Sequence, residues 1–341
     1  MIDVLSRITD KDELFRLLDA MATGQNRRID EAEFRDHLDG RVRGQSHVTA
    51  DAARLIRLQW GKQSRNRPIA CLLLLGPTGT GKTELAKALA SYLFNDEKAM
   101  LRFDGPDLAG AEAKSRLIGL PRGYVGWESG GAITRPVLNN PRRLILFDEV
   151  EKAWPGVFDL FLAMMGEGRL TEQGSNKVAD FTQSIIVLTS NAEHEAIGRI
   201  QDEVEDPDER TDAVKKHLRD SQVFRPEIVG RFDKIYVFRP LDLRAIADVA
   251  ALKILAVARE YDVEIESVDP ALIVEAMRRG NKLKDFGARE LERVVGEMFG
   301  ESLMAARDAD VRRVRVAAGP RGELRIEGAT ARPAAEARRS R

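Results

Sequence analysis

The 341-residue chain has a single cysteine, Cys71, so an internal disulfide framework is excluded and a reducing cytosol fits. Its four histidines, His37, His47, His194 and His217, are scattered without the spacing of a zinc site. Long apolar runs are missing too. The longest, Ile69 to Leu75, falls far short of the roughly 20 residues that a membrane span needs. Met1-Ile2-Asp3-Val4 lacks the basic and apolar regions of a signal peptide. Neither sign of charge dominates: 54 basic residues face 55 acidic ones, for a net charge of −1. A global basic footprint for nucleic acid is therefore absent. What is present is 43% hydrophobic and 32% charged residues, enough for a sizeable core and a solvated surface. That composition excludes disorder over most of the length. These features predict a soluble, cytoplasmic protein of about two domains with no membrane partner.

No internal repeat is visible. Residues 1–39 read as an N-terminal helical extension. Leu14, Leu17, Leu18 and Met21 sit at helical spacing, Gly24-Gln25-Asn26 breaks the pattern, and Ile29 to Leu38 fits a second short helix. From residue 40 short aliphatic runs alternate with helical patterns. Candidate strands are Ala70–Leu75, Met100–Asp104, Leu144–Phe147, Ile185–Thr189 and Ile235–Phe238. Continuous apolar runs of this length suit a parallel sheet covered on both faces, an α/β fold. Residues 241–305 read as almost purely helical, as in Ile246 to Ala258 and Ala288 to Met304. Val311–Val316 and Glu323–Ile326, around Gly319-Pro320, predict a closing hairpin. The expected division is 40–240 for a large domain, 241–328 for a small one, and 329–341 for a disordered basic tail. Cys71, inside a candidate strand, reads as a core residue.

Gly76-Pro77-Thr78-Gly79-Thr80-Gly81-Lys82-Thr83 matches GxxxxGK[ST], directly follows a candidate strand, and opens the helix Glu84 to Leu93. Glycines let backbone N–H groups wrap closely around phosphates, and the helix N-terminus adds favourable dipole charge. Lys82 would reach the outer phosphates and the Thr83 hydroxyl would ligate Mg²⁺. Downstream, the aliphatic Leu144 to Phe147 ends in Asp148-Glu149. Asp148 would support Mg²⁺, and Glu149 would polarise the attacking water as general base. Hydrolysis of a nucleoside triphosphate follows as the default chemistry, with ATP and Mg²⁺ as the expected ligands.

The residues between and after these motifs narrow the class. Arg116 to Gly131, containing Gly123-Tyr124-Val125-Gly126, resembles the pore segment of Clp-type AAA+ unfoldases. Asp148 to Pro155, Gly168 to Thr171, Thr189-Ser190-Asn191, Phe224 to Glu227 with Gly230 to Asp233, and Phe286 to Arg289 continue the likeness in the same order. The resemblance covers about Gly40 to Ile326 and is nearest the second ATPase ring of ClpA and ClpB. It implies an AAA+ P-loop NTPase, a parallel αβα sandwich with a small helical lid ending in a β-hairpin. It implies a free-standing single ring, a homo-oligomer of hexameric type that threads protein substrates through its pore. On this likeness Asn191 is a sensor beside the outer phosphate, Arg231 an arginine finger acting in a neighbouring subunit, and Arg289 a second sensor. Val42 and Arg43 fall where the family contacts adenine, the stretch Gly76 to Glu84 where it binds nucleotide, and Tyr124 and Val125 where it grips polypeptide. Arg122 replaces a usual proline, adding positive charge; Trp127 and Trp154 replace a common tyrosine and histidine and read as packing changes.

A rival reading is a nucleic-acid-associated AAA+ switch, such as a transposition helper or transcription activator. The near-neutral charge and the absence of a GAFTGA-type loop or helix-turn-helix pattern argue against it. A nucleotide-binding scaffold without turnover is disfavoured by the complete catalytic motifs. The N-terminal extension would suit an adaptor. Docking on the ClpP peptidase is not expected: the apolar-Gly-apolar tip it needs has only Ile197-Gly198-Arg199 as a counterpart, and Ile197 reads as one apolar residue of a helix.

Overall fold

The structure, a computed structural model, describes residues 28–280, 288–319 and 324–328. The amphipathic stretch at Leu14 to Met21 and the tail 329–341 lie outside the described residues. In chain order the helices are α1 (Glu31–Arg41), α2 (Ser46–Trp60), α3 (Lys82–Phe94), α4 (Ala113–Ile118), α5 (Thr134–Asn139), α6 (Val157–Glu167), α7 (His194–Glu203), α8 (Pro207–Asp220), α9 (Pro226–Val229), α10 (Leu243–Glu260), α11 (Pro270–Arg279) and α12 (Ala288–Asp308). The strands are β1 (Ala70–Leu75), β2 (Met100–Asp104), β3 (Leu144–Asp148), β4 (Arg169–Thr171), β5 (Val178–Asp180), β6 (Ile185–Ser190), β7 (Lys234–Val237), β8 (Glu264–Val268), β9 (Arg313–Ala318) and β10 (Leu324–Gly328).

The five expected aliphatic runs pair into one parallel sheet, ordered β2-β3-β6-β1-β7. Side chains alternate across a strand, so each run feeds two cores. Cys71, Leu73, Leu75, Ile145, Phe147, Ile186 and Leu188 face the layer that includes α6. Ala70, Leu72, Leu74, Leu144, Leu146, Ile185 and Val187 face α1, α2 and α3. Both faces of β1, β3 and β6 are covered, which is why these strands carry no polar alternation, whereas the edge strand β2 exposes Arg102. Burial pushes the Cys71 thiol up to about 12, so it stays protonated and packs as an apolar residue.

The boundary expected at residue 40 falls inside α1. Asp30 caps this helix by accepting a hydrogen bond from the Glu33 amide. Phe34 and Leu38 are fully buried, and Phe34 stacks on Tyr92 of α3 at 4.3 Å. Residues 31–39 therefore pack as part of the large domain, because their apolar stripe completes its core.

The small domain gathers α10, α11 and α12 around buried Ile254, Leu272, Val295, Phe299 and Leu303. Its expected hairpin is present as antiparallel β9 and β10. The almost purely helical reading of residues 241–305 missed β8, which pairs with β9 in parallel to make a three-stranded sheet. A bulge between Ile265 and Ser267 and two outward glutamates blur its alternation, so the pairing with β9 sets the strand. The hairpin β4–β5 was likewise not foreseen; each strand is only three residues long.

Candidate nucleotide site

All sheet strands run the same way, so the residues that follow β1, β3 and β6 emerge along one edge. Ligands of open α/β sheets bind along this carboxyl edge. After β1 the chain turns through Gly76, Pro77, Thr78, Gly79, Thr80 and Gly81 into α3. Gly76 takes φ +134°, and an added Cβ would stand 2.5 Å from the Phe238 carbonyl oxygen, so only glycine fits. Val42, buried beside this loop, would meet a Cβ on Gly81 at 3.3 Å.

Lys82, at the start of α3, folds back over the loop. Its ammonium donates to the carbonyls of Gly76 (2.6 Å) and Pro77 (2.7 Å) and to Asn191 Oδ1 (2.7 Å). Burial lowers its pKa to about 8, although Asp148, Glu151 and Glu149 pull the other way. The next residue, Thr83, donates its hydroxyl to Asp148 Oδ2 at 3.2 Å. Asp148 is buried at the end of β3, where Thr189 donates to its other oxygen and Arg102 pairs with it at 2.9 Å.

Glu149 follows with φ +53°, a left-handed backbone that a glutamate adopts at a cost of about 1–3 kcal/mol. Its amide donates to Thr189 Oγ1 at 3.0 Å. Gly105 lets this turn close: a Cβ there would lie 2.0 Å from the Glu149 carbonyl oxygen. The strained turn aims the Glu149 carboxylate outward, where Lys152 pairs with it at 2.7 Å and Asn191 Nδ2 donates to it at 3.3 Å. Asn191 thus bridges Lys82 and Glu149. Its own amide donates to Glu151 Oε1 at 3.2 Å.

Most of the expected site converges here: the loop with Lys82 and Thr83, the Asp148-Glu149 pair, Asn191 and Val42. Glu84 stands in the first turn of α3, but Arg41 holds its carboxylate at 2.6 Å, so only its backbone remains to serve a phosphate. Arg43 lies next to Val42 with a buried Nε that has no hydrogen-bond partner. The side chain of Arg289 lies outside the described residues; its backbone opens α12.

Arg231 stands elsewhere. The Asp233 amide donates to the Cys71 carbonyl, and the Cys71 amide donates to Asp233, so Arg231 lies at the opposite, amino edge of β1. The five residues from Cys71 to Gly76 separate the two edges by about 16 Å. Arg231 is exposed, with its guanidinium lying over Gly166.

Tyr124 and Val125 lie apart from the nucleotide residues, 63% and 99% exposed at the tip of a turn flanked by Gly123 and Gly126. The loop after β4 packs against that turn, where a Cβ on Gly174 would stand 2.9 Å from the Trp127 carbonyl oxygen. Buried Glu172 accepts from the amides of Gly174 and Ser175; burial opposes its ionisation, yet these bonds hold its carboxyl below the ordinary range. The Gln173 amide donates to the Ile118 carbonyl at 2.8 Å. The Arg122 guanidinium lies over the Trp127 ring, 5.2 Å from its centroid, so these two departures from the family pattern answer each other.

Sequence reasoning did not single out four supporting residues. Thr189 orients both acidic residues, and it stood within the Thr-Ser-Asn run. Arg102 alternates with Leu101 and Phe103, a period-two signal placing it on one face of β2. Fully buried Gln45 donates to the Arg239 carbonyl at 2.8 Å and accepts from the Arg239 amide, joining the turn between α1 and α2 to the entry of the small domain. Glu172 carried no signal beyond a turn-like neighbourhood. Among the described residues no cluster of three or more His, Cys, Asp or Glu could hold a metal, and no helix is long and apolar enough to cross a membrane.

Comparison with known proteins agrees with this geometry. A family profile described as AAA domain (Cdc48 subfamily) matches residues 67–235, which run from the start of the sheet to β7. Chaperone protein ClpB2, chloroplastic, of Oryza sativa subsp. japonica is 40% identical over 274 residues, covering 79% of this chain and 28% of its own. Chaperone protein ClpB of Streptomyces albus G is 38% identical over 286 residues, 81% of this chain and 32% of its own. Chaperone protein ClpB of Agrobacterium fabrum is 36% identical over 312 residues, 89% of this chain and 35% of its own. The chain thus spans about a third of the length of these relatives. A phosphate loop, an acidic strand end and an asparagine on one sheet edge, matched over most of the chain at this identity, leave one conclusion: the chain belongs to the Clp-type AAA+ ATPases.

Proposed function

We propose that the protein hydrolyses ATP and uses the energy to pull on polypeptide as a subunit of a hexameric ring in the cytoplasm. The observation that carries this reading is the hydrogen-bonded run from Lys82 through Asn191 to Glu149, with Asp148 seated on Thr83. The site suits Mg²⁺ with a triphosphate: the loop is glycine-built where a Cβ would clash, and Thr83 and Asp148 offer hard oxygen donors. Bound ATP and Mg²⁺ would supply the phosphoanhydride and the charge that neutralises its oxygens. Lys82 would exchange the Gly76 and Pro77 carbonyls for outer phosphate oxygens. Glu149, aimed outward by its left-handed backbone, would take a proton from the attacking water. Asn191 would hold that water between the base and Lys82. Val42 and Arg43 would contact the adenine, and Arg289 would couple the small domain to the nucleotide.

Arg231 cannot serve the nucleotide of its own chain from the far edge of the sheet, which supports action on a neighbouring subunit. The exposed Tyr124 and Val125 would grip an extended polypeptide by side-chain bulk, a contact tolerant of sequence. The chaperone names of the relatives support a protein substrate, and they lend no support to the nucleic-acid switch. Ile197 is fully buried in α7, which supports remodelling without docking on ClpP. The N-terminal residues remain the proposed site for an adaptor.

The test is a trap. With ATP, the Glu149→Gln protein should form rings and retain an unfolded client that can be recovered by pulldown; rings that hold no polypeptide would refute threading. Arg231→Ala should bind ATP yet lose hydrolysis by about 10³-fold or more. Mixing it with Lys82→Ala protein should restore part of the activity. Absence of rescue in demonstrably mixed rings would end the role in trans.

A further inference from the structure

Beside the Tyr124 turn lies a cleft of about 800 Å³, between α4, the glycine-rich segment that follows it, and α5. Arg116, Arg135 and Arg143 line it, and it reaches Gly126 at the foot of the turn. Residues 112–143 carry six basic and two acidic side chains, in a chain whose net charge is −1. The local charge is therefore a concentration, not a reflection of composition.

The guanidiniums are steered but not neutralised. Arg116 Nη1 donates to the Asp107 carbonyl, Arg135 Nη1 to those of Glu128 and Ser129, and Arg143 Nε to those of Pro136 and Asn140. Arg122 rests on the Trp127 ring. None of the four pairs with a carboxylate among the described residues, although ion pairs are frequent elsewhere on the surface. Main-chain bonds fix the planar forks of Arg116, Arg135 and Arg143, and the Trp127 ring supports that of Arg122, while each fork keeps N–H donors with no partner among the described residues, the donor set that a carboxylate accepts from in bidentate fashion. Glu112 is the one acid in the lining.

We propose that the cleft and the adjoining turn take acidic polypeptide segments, with Asp or Glu side chains meeting Arg116, Arg122, Arg135 and Arg143 while Tyr124 and Val125 grip the backbone between them. The proposal rests on the reading of the turn as a polypeptide grip, and adds its substrate class. Polypeptide is favoured over nucleic acid by the aromatic inventory. Single strands bind on exposed stacking rings along a continuous basic track. Here Tyr124 is a single exposed ring, Arg122 covers Trp127, and Glu112 and Glu128 interrupt the track.

The test uses full-length Glu149→Gln protein with ATP and Mg²⁺, and fluorescent peptides of equal length built on one Val- and Tyr-containing frame. One carries Glu, one Gln and one Lys at the variable positions. The Glu peptide should bind at least about fivefold more tightly than the Gln peptide at low salt, with the gap closing as salt rises. Arg116→Gln with Arg135→Gln should remove the gap, and Arg116→Glu with Arg135→Glu should turn the preference to Lys. Equal binding of the Glu and Gln peptides, both lost in Tyr124→Ala, would overturn the acidic preference and leave the grip standing. No binding of any peptide would overturn both. Displacement of the Glu peptide by a single-stranded oligonucleotide that the Arg→Gln variant no longer binds would assign the cleft to nucleic acid instead. The three peptides on the unsubstituted cleft decide the matter even where an arginine variant fails to fold.

Discussion

The nucleotide edge of the sheet and the Gly123–Gly126 turn are built on opposite terms. At the edge the chemical groups are held by named partners. Lys82 meets two carbonyls and Asn191, Asp148 meets Thr83, Thr189 and Arg102, and Glu149 is pinned at its amide by Thr189. At the turn, Tyr124 and Val125 project from a base that is anchored while they themselves are exposed. Hydrolysis needs groups fixed to within a fraction of an ångström, because misplacement costs rate. Gripping many different segments needs the reverse: an anchored stalk with a tip free to accept what arrives.

That contrast can be broken most sharply at Glu149. Glu149→Gln keeps the shape and the amide bond to Thr189 but loses the proton acceptor, so steady-state hydrolysis should fall by about 10²–10⁴ while ATP binding persists. Near-normal turnover in a phosphate-release assay would remove Glu149 as the base. Behind the edge, Phe147→Ala should cost about 3–5 kcal/mol in denaturant unfolding, because the ring is buried between Phe103 and Phe161. A loss below about 1 kcal/mol would mean the edge does not lean on that core.

A smaller effect is set by pH. The Lys82 ammonium, lowered by burial to about 8, is largely neutral in the free protein at pH 9, yet must be charged to meet phosphate. Nucleotide affinity should therefore fall by about fivefold between pH 8 and 9, with proton uptake on binding that is near zero at pH 7. Calorimetry in buffers of different ionisation heat reads this directly; uptake independent of pH would exclude Lys82 as the linked group. Stability of the free protein moves the other way. The unfolded lysine holds its proton to about 10.5, so the cost of burying the charge is relieved as pH rises through 8.

The smallest expected change in stability lies at the turn. Tyr124→Ala should alter unfolding free energy by less than about 0.5 kcal/mol, since the ring is exposed, and yet abolish unfolding of a tagged protein substrate. A large loss of stability, or substrate unfolding at the wild-type rate, would show that the ring packs instead of gripping.

Much of the sheet was readable from residue order alone. β1, β3 and β6 are short aliphatic runs with no polar break, and such runs are stable only between two covering layers. The phosphate loop was equally legible, because its chemistry depends on residue types at consecutive positions. Less was legible where the partner is remote in sequence. β8 carries three polar residues in five, and its pairing with β9, far along the chain, makes it a strand. Helix α1 looked like the end of an extension until Phe34 and Leu38 met α3. Glu84, read as part of the phosphate site, is turned away by Arg41.

Local order in the chain settled the identities: which residue follows which strand, and therefore which groups can share the carboxyl edge. Only folding in three dimensions settled the partnerships. Asn191 joins Lys82 to Glu149 across 109 and 42 residues of chain, Arg102 reaches Asp148 from a neighbouring strand, and Arg231 is carried to the far edge from its own phosphate loop. Motifs record what a backbone can present over a few consecutive residues. Hydrogen bonds and burial between distant segments depend on strand order and register, which no short stretch of sequence encodes.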